Sequence, residues 1–385
     1  MRIIHTSDWH IGQSFYGYDR LDEHSAVIDA IFDIVIDSQA DALIVSGDIF
    51  DLPQPSVSAQ RLFADKLMTL RQKCPELCII VTAGNHDSAT RHEAFVPLWE
   101  AAHIDMVGTV EKDNYDHNIV KIKNKGFVAA VPYISPRFIP DGYFEHLLAR
   151  ISELNTESLP VVMMAHLSVA NCDSEGHQSD EIIIGGVEAC ALKDMEVDYD
   201  YLALGHIHKP QQLSDKARYS GAPLAISFDE PFAHSVTIVD FGAHGEPISI
   251  ATKEIEPPRP IVTLPAKGGA DWDDAMALLN DFPSDIPAYI RLNVNEGTLP
   301  PDARAQAIIA CEGKECDFCI INLVRRRTTA EMAENTDFTI SELQTKNPTE
   351  IARIYSDRQG VDFDAELTEM FNIALSNIEE TVRNL

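Results

Sequence analysis

The chain has 385 residues, 45% of them hydrophobic, and carries a formal charge of −31 at pH 7. That length exceeds one average domain and predicts two or three units, with a well-buried core in at least one. Acidic residues outnumber basic ones 39 to 18 in residues 1–257, 13 to 8 in 258–340 and 9 to 4 in 341–385, which excludes a basic nucleic-acid binder; contact with a polyanion has to come from bound cations, small local patches or a partner.

Arg2 to Thr6 predicts a first strand. No charged leader precedes an apolar core there, and no stretch approaches 18 uninterrupted apolar residues, so a cytoplasmic protein without membrane association is expected. The strand empties into Ser7-Asp8-Trp9-His10, and in extended backbone Asp8 and His10 point to the same side, where they can hold one metal. A turn-capping aspartate beside an incidental histidine fits this motif alone equally well. Val27, Ile28, Ile31, Ile34 and Val35 recur at helical spacing, which predicts a helix over 22–38 that crosses to a second strand at Ala42 to Val45.

That strand ends in Ser46-Gly47-Asp48-Ile49-Phe50-Asp51, a glycine followed by a carboxylate. A second amphipathic helix over 56–72 leads to the β-branched run Cys78 to Val81, short enough for a buried strand. It stops at Gly84-Asn85-His86-Asp87, where the glycine is expected to supply backbone freedom for a sharp exit and three polar side chains follow. Three consecutive strand exits thus bring Asp8, His10, Asp48, Asn85 and His86 to one edge of a parallel sheet.

Two later runs end alike, Val161 to His166 and Tyr201 to Leu204, the latter followed by Gly205-His206-Ile207-His208. One histidine at a strand end is usually satisfied by a backbone partner. Five such exits exceed what turn chemistry explains. They offer Asp8, His10, Asp48, Asn85, His166, His206 and His208, oxygen and nitrogen donors without a thiolate, a set suited to two hard or borderline cations.

The order D-x-H, G-D, G-N-H-D, strand-terminal histidine, G-H-x-H resembles the calcineurin-like metallophosphoesterase superfamily. The stretches Met1 to Gly12, Gly47 to Asp51, Tyr219 to Pro223 and Ser227-Phe228-Asp229-Glu230 are similar to a narrower group, the bacterial branch of the DNA double-strand-break repair nucleases. The similarity is strong over about residues 1–255 and looser over the whole length. It implies an α/β metallophosphoesterase sandwich in which Asp8, His10 and His208 hold one divalent ion, Asn85, His166 and His206 hold the other, and Asp48 bridges, with manganese as the metal.

The same resemblance implies a DNA phosphodiesterase of repair, recombination and replication. Its activities would be ATP-dependent double-strand exonuclease and single-strand or hairpin endonuclease action, performed as a homodimer with an SMC-family ATPase. His86, outside the metal shell, is the expected catalytic residue, protonating the leaving oxygen or stabilising the transition state; its alternative role is to position neighbours. Archaeal and eukaryotic relatives carry a histidine three residues after the bridging aspartate, where this chain has Asp51. Rival readings are the same metals acting on small phosphodiesters or phosphoproteins, and a metal-free scaffold, although such scaffolds lose ligands and this chain keeps all of them.

Glu256-Pro257-Pro258-Arg259-Pro260 predicts a linker. It separates a nuclease unit at 1–256 from a small α+β unit at 257–338 that resembles the family's capping domain, read as strands over 261–264, 288–293 and 317–325 alternating with helices over 271–280 and 302–310. Cys311, Cys316 and Cys319 have metal-site spacing, yet the chain has only seven cysteines, no fourth ligand lies near, and Cys316 to Val324 reads as a buried strand, so structural cysteines are the preferred reading. Arg325-Arg326-Arg327 is either a solvated strand end or a DNA-backbone contact.

Residues 339–385 read as a helical segment, opened by the capping-box pair Thr339 and Glu342. The stripe Leu367, Met370, Phe371, Leu375 and Ile378 is expected to dock on the coiled coil of the ATPase partner, or else to fold back on the capping unit. Leu62, Phe63, Leu67 and Leu70, with the helix over 91–102, are the expected dimer surface; packing on the sheet explains that stripe equally well.

Overall fold

The computed structural model describes residues 1–325 apart from 113, 171, 174, 176–189 and 196, together with a few positions between 349 and 371. Strand Arg2–Thr6 pairs in parallel with Ala42–Ser46, followed outward by Cys78–Thr82 and Ile104–Val107. On its other side it pairs antiparallel with Ser235–Asp240, whose neighbour is Ser249–Glu254. A second sheet has the order Gln211–Ser214, Ala217–Tyr219, Tyr201–Gly205, Val161–His166, Gly126–Ala130, Ile119–Ile122.

Alternation along these strands sets the layers. Ile4, Leu43, Val45, Ile79 and Val81 pack with Val27, Ile31, Phe32 and Leu67 of the helices Leu21–Asp37 and Val57–Lys73. Their neighbours Ile3, Ala42, Ile44 and Ile80 face the other way and meet Val128, Val162, Met164 and Ala203 of the second sheet. The far side of that sheet, through Phe127, Ala129, Val161 and Met163, takes Leu147 and Ile151 of helix Tyr143–Leu154. The result is a helix, sheet, sheet, helix sandwich. Strands covered on both faces carry near-continuous apolar runs, which is why they are visible in the sequence.

The helix expected over 56–72 forms as Val57–Lys73, capped at Ser56, whose Oγ accepts from the Ala59 amide at 3.1 Å. Its apolar stripe does not face outward: Phe63, Leu67 and Leu70 are buried in the core and Leu62 packs against it. What this helix and Ala89–Ala101 leave open is a different set, including Val57, Met68, Phe95 and Leu98, which line an apolar groove of about 660 Å³.

Residues 1–324 form one compact unit and 325–385 a second. Within the first, Ile261–Leu264, Ala288–Asn295 and Cys316–Val324 make a small parallel sheet whose crossovers are Trp272–Asp281 and Ala303–Cys311. None of the seven cysteines is in a disulfide, with Cys316 in the small core beside Phe318 and Cys319 packed with Phe15, Phe228 and Tyr289. The buried-strand reading holds for the first half of Cys316–Val324 only; beyond Cys319 its side chains lie at intermediate depth or outside, with Leu323 51% exposed. In the second unit the rings of Phe363 and Phe371 meet edge-on at 6.1 Å. Arg326, Arg327, most of the helices expected over 339–384 and the stripe residues Leu375 and Ile378 lie outside the described residues.

The small sheet is tied to the sandwich by polar contacts at an aromatic junction. Tyr18 Oη donates to the Phe318 carbonyl at 3.0 Å and Tyr289 Oη to Glu23 Oε1 at 2.5 Å. Arg20, 1% exposed, closes the network, donating to Glu23 Oε2 at 2.9 and 3.1 Å and to the Ala225 carbonyl at 2.6 Å. Removing one partner of a buried ion pair leaves the other charge uncompensated, so Arg20→Met is expected to cost about 3–5 kcal/mol of unfolding free energy in urea titration, and Arg20→Met with Glu23→Leu less than the sum of the singles.

Candidate metal centre

Each candidate residue sits where a strand of one of the two sheets gives out. The loop after Arg2–Thr6 is stitched to the loop after Ala42–Ser46: the Asp8 amide donates to the Gly47 carbonyl at 3.0 Å and the His10 amide to the Asp48 carbonyl at 3.1 Å. Among the described residues, four of the nine non-glycine residues with positive φ are here, Asp8 at 54°, His10 at 45°, Asp48 at 49° and His206 at 99°. L residues hold such conformations only when the surroundings impose them, and they gather at functional sites. Gly84 differs from the expectation: what it provides is room, because a Cβ there would overlap the Asp48 carboxylate, while Gly47, at φ +85°, is needed for both its conformation and its contact with His166.

The side chains converge from both sheets. Asp8, His10 and His208 offer donor atoms within 4.8 Å of one another, as do Asp48, His166 and His206, and as do His10, Asp48 and His86. Asp48 Oδ2 stands 3.3 Å from His166 Nε2 and 3.7 Å from His10 Nε2, so one carboxylate faces both halves of the cluster. Asn85 Oδ1 lies 3.0 Å from His166 Nε2 and 3.0 Å from His206 Nδ1. His166 Nδ1 donates to the Ser46 carbonyl at 2.7 Å, leaving Nε2 for the centre. Among the described residues these are the groups in which three or more His, Cys, Asp or Glu converge, and none contains a cysteine.

Burial sets the electrostatics. It pushes the His10 imidazole well below its ordinary value and the Asp8 carboxyl up. Burial opposes charge on Asp48 and His166 as well, but there the partners win: His166, with His10 and His86, holds the Asp48 carboxyl well below the carboxylate range, and Asp48 with Asp8 lifts His166 to about 9. Two carboxylates in a dry cluster, and the Nε2 atoms of His10 and His208 facing each other at 3.2 Å, are what divalent cations would satisfy, and the oxygen and nitrogen donor set fits them.

This produces a pH signature. Because the folded value of His166, about 9, lies above the ordinary 6.5, its contribution to stability is complete below pH 6.5 and is lost as pH rises through about 9. In chelator, Tm should fall over that window. With saturating divalent metal it should rise instead, since a metal has to expel that proton. A Tm in chelator that climbs from pH 6.5 to 9 would contradict the assignment.

Three residues around the centre take roles the sequence left undefined. Asp87, grouped with the ligand-grade side chains of its loop, instead accepts from the amides of Gly84, Ile49 and Phe50 at 2.8, 3.0 and 3.0 Å and so locks two strand-exit loops together. Asp51 contributes its backbone: its carbonyl lies 2.9 Å from His86 Nδ1, and its carboxylate stays 3.8 Å from His10 Nδ1. Glu230 faces His208 at 3.1 Å, and its one signal in the sequence is its place at the end of the Ser227 to Glu230 stretch.

Residues 1–210 match the calcineurin-like phosphoesterase family. The chain is 32% identical over 308 residues to the SbcD subunit of the SbcCD nuclease of Rhodobacter capsulatus, covering 73% of this chain and 75% of the relative. It is 35% identical over 269 residues to the SbcD protein of Bacillus subtilis, covering 62% and 66%, and 26% identical over 373 residues to that of Escherichia coli, covering 89% and 90%. No helix among the described residues is long and apolar enough to cross a membrane. With the family matched over more than half of its length and SbcD nucleases aligned along most of it, the chain belongs to the calcineurin-like phosphoesterases as a metal-dependent nuclease of the SbcD type.

Proposed function

We propose that this protein is the nuclease component of an SbcCD-like complex that hydrolyses DNA phosphodiesters with two manganese ions. In this reading Asp8, His10 and His208 hold one ion, Asn85, His166 and His206 the other, and Asp48 both. The observation that carries it is the position of the Asp48 carboxylate, 3.3 Å from His166 on one side and 3.7 Å from His10 on the other. Two such cations would supply charge neutralisation at the phosphate and a lowered pKa for the attacking water.

The chain's own residues do the rest. Asp87 fixes the two loops that carry Asp48 and Asn85, and the Ser46 carbonyl orients the His166 ring. His86, with Nδ1 committed to the Asp51 carbonyl, has Nε2 left to carry a proton to the departing oxygen. A formal charge of −31 leaves little cationic surface for DNA on this chain and favours a partner that supplies it. The reading assigns that role to an SMC-family ATPase like SbcC, docked on the segment 339–385, and places the complex in the cytoplasm, in double-strand-break repair, recombination and replication. ATP-dependent double-strand exonuclease and single-strand or hairpin endonuclease action belong to this reading.

The groove lined by Val57, Phe95 and Leu98 supports a homodimer. Leu98, 67% exposed, is the position to charge: Leu98→Glu should yield monomers in sedimentation, and an unchanged sedimentation coefficient removes the dimer from this reading. The activity test is manganese-dependent cleavage of linear duplex DNA, hairpin DNA and a small aryl phosphodiester, with and without the ATPase partner, by the full chain and by a chain ending at Lys346. The reading predicts ATP-stimulated DNA cleavage that needs the segment after Lys346 only for the partner's effect. Hydrolysis of the aryl ester alone would oppose it.

A further inference from the structure

We infer that Glu230 is a positioning residue for His208 and that Arg291 of the small sheet holds it in place. The inference rests on the proposed role of His208 as a metal ligand. Glu230 Oε1 lies 3.1 Å from His208 Nδ1, and its carboxylate is fully buried. Its other oxygen accepts from the Ile226 amide at 3.4 Å and stands 3.9 Å from His234 Nε2. A carboxylate there makes Nδ1 the protonated nitrogen, so Nε2, which faces His10 Nε2 at 3.2 Å, keeps the lone pair that ligation needs.

The turn that carries Glu230 is not held by the sandwich alone. Arg291 Nη1 donates to Asp229 Oδ1 at 2.6 Å and Nη2 to the Phe228 carbonyl at 3.2 Å, while its guanidinium lies over the Phe228 ring at 5.1 Å. Arg291 is itself anchored on the small sheet, its Nε donating to Thr263 Oγ1 at 3.1 Å. One side chain of the small sheet therefore pins both residues that precede Glu230. The small unit is then a support for one ligand of the metal centre, through the path Arg291, Asp229, Glu230, His208, in addition to any contact it makes with substrate.

The experiment is calorimetric titration of Mn²⁺ into the chelator-stripped full-length protein and its His208→Ala, Glu230→Ala, Glu230→Gln and Arg291→Met variants, with folding checked by circular dichroism. Glu230→Ala should weaken one of two sites by ~10–100-fold, the range for partners that orient a metal-bound histidine, and leave the other within about twofold. Glu230→Gln, whose amide oxygen still accepts from Nδ1–H, should recover most of the loss. Arg291→Met should weaken the same site by a smaller factor. Wild-type affinity at both sites in Glu230→Ala, with one site lost in His208→Ala, overturns the inference and leaves the ligand reading standing. Two intact sites in His208→Ala overturn the ligand reading itself. Should Glu230→Ala fail to fold, Glu230→Gln and Arg291→Met decide, and unchanged affinity at both sites in both variants overturns the inference.

Discussion

Replacing His86 with alanine should lower kcat by ~10²–10⁴-fold, the range for a placed general acid, while two metals remain bound. The geometry gives the reason for separating the two effects. The His86 ring is oriented from outside the cluster, by the Asp51 carbonyl at 2.9 Å, and its backbone amide donates to Asp48 Oδ1 at 2.9 Å, a contact that alanine retains. Its ring stands edge-on to His10 with centroids 4.9 Å apart, close enough to act on a group bound there. The matching measurement is single-turnover cleavage alongside metal analysis. Loss of metal together with rate would instead make His86 a third member of the group with His10 and Asp48.

Asp48→Asn should have the larger effect, removing both metal sites at once and with them activity on the order of 10³-fold or more, as expected when several kcal/mol of charge stabilisation disappear. Asparagine keeps the volume of the side chain and one acceptor for the His86 amide. What it removes is the charge that faces His166 and His10 together. The His166 proton, held by Asp48 in the metal-free protein, is then released at lower pH, so the fall of Tm in chelator should move down the pH axis along with the loss of metal. Retention of both metals in Asp48→Asn would show that the two halves of the centre stand independently.

Most of the sandwich was legible because its strands are apolar on both faces and end abruptly in glycine and polar side chains, a pattern that survives without knowledge of neighbours. Cys78–Thr82 and Val161–His166 are such strands, and the donors at their ends were identified from it. Periodicity says that a residue is buried but not against what. That is why Phe63, Leu67 and Leu70 read equally well as an interface and as core, and why the exposed set, Val57, Phe95 and Leu98, went unmarked.

The supports of the centre were less visible for a related reason. Asp87 sits among ligand-grade neighbours, and only the fold turns it toward the amides of Ile49 and Phe50. Gly84 looked like a turn residue, whereas the requirement is the closeness of Asp48, which comes from another strand. Glu230 reaches His208 across a β-turn region and two short strands that carry no chemical motif of their own.

The most direct test of the account is electron paramagnetic resonance of the full-length protein titrated with Mn²⁺, read beside cleavage of linear duplex DNA in the same samples. A centre bridged by Asp48 predicts two ions per chain with an exchange-coupled spectrum, cleavage that grows with that signal, and loss of both in Asp48→Asn. A saturated protein showing only isolated, uncoupled Mn²⁺, or one that cleaves DNA undiminished in chelator, would contradict it.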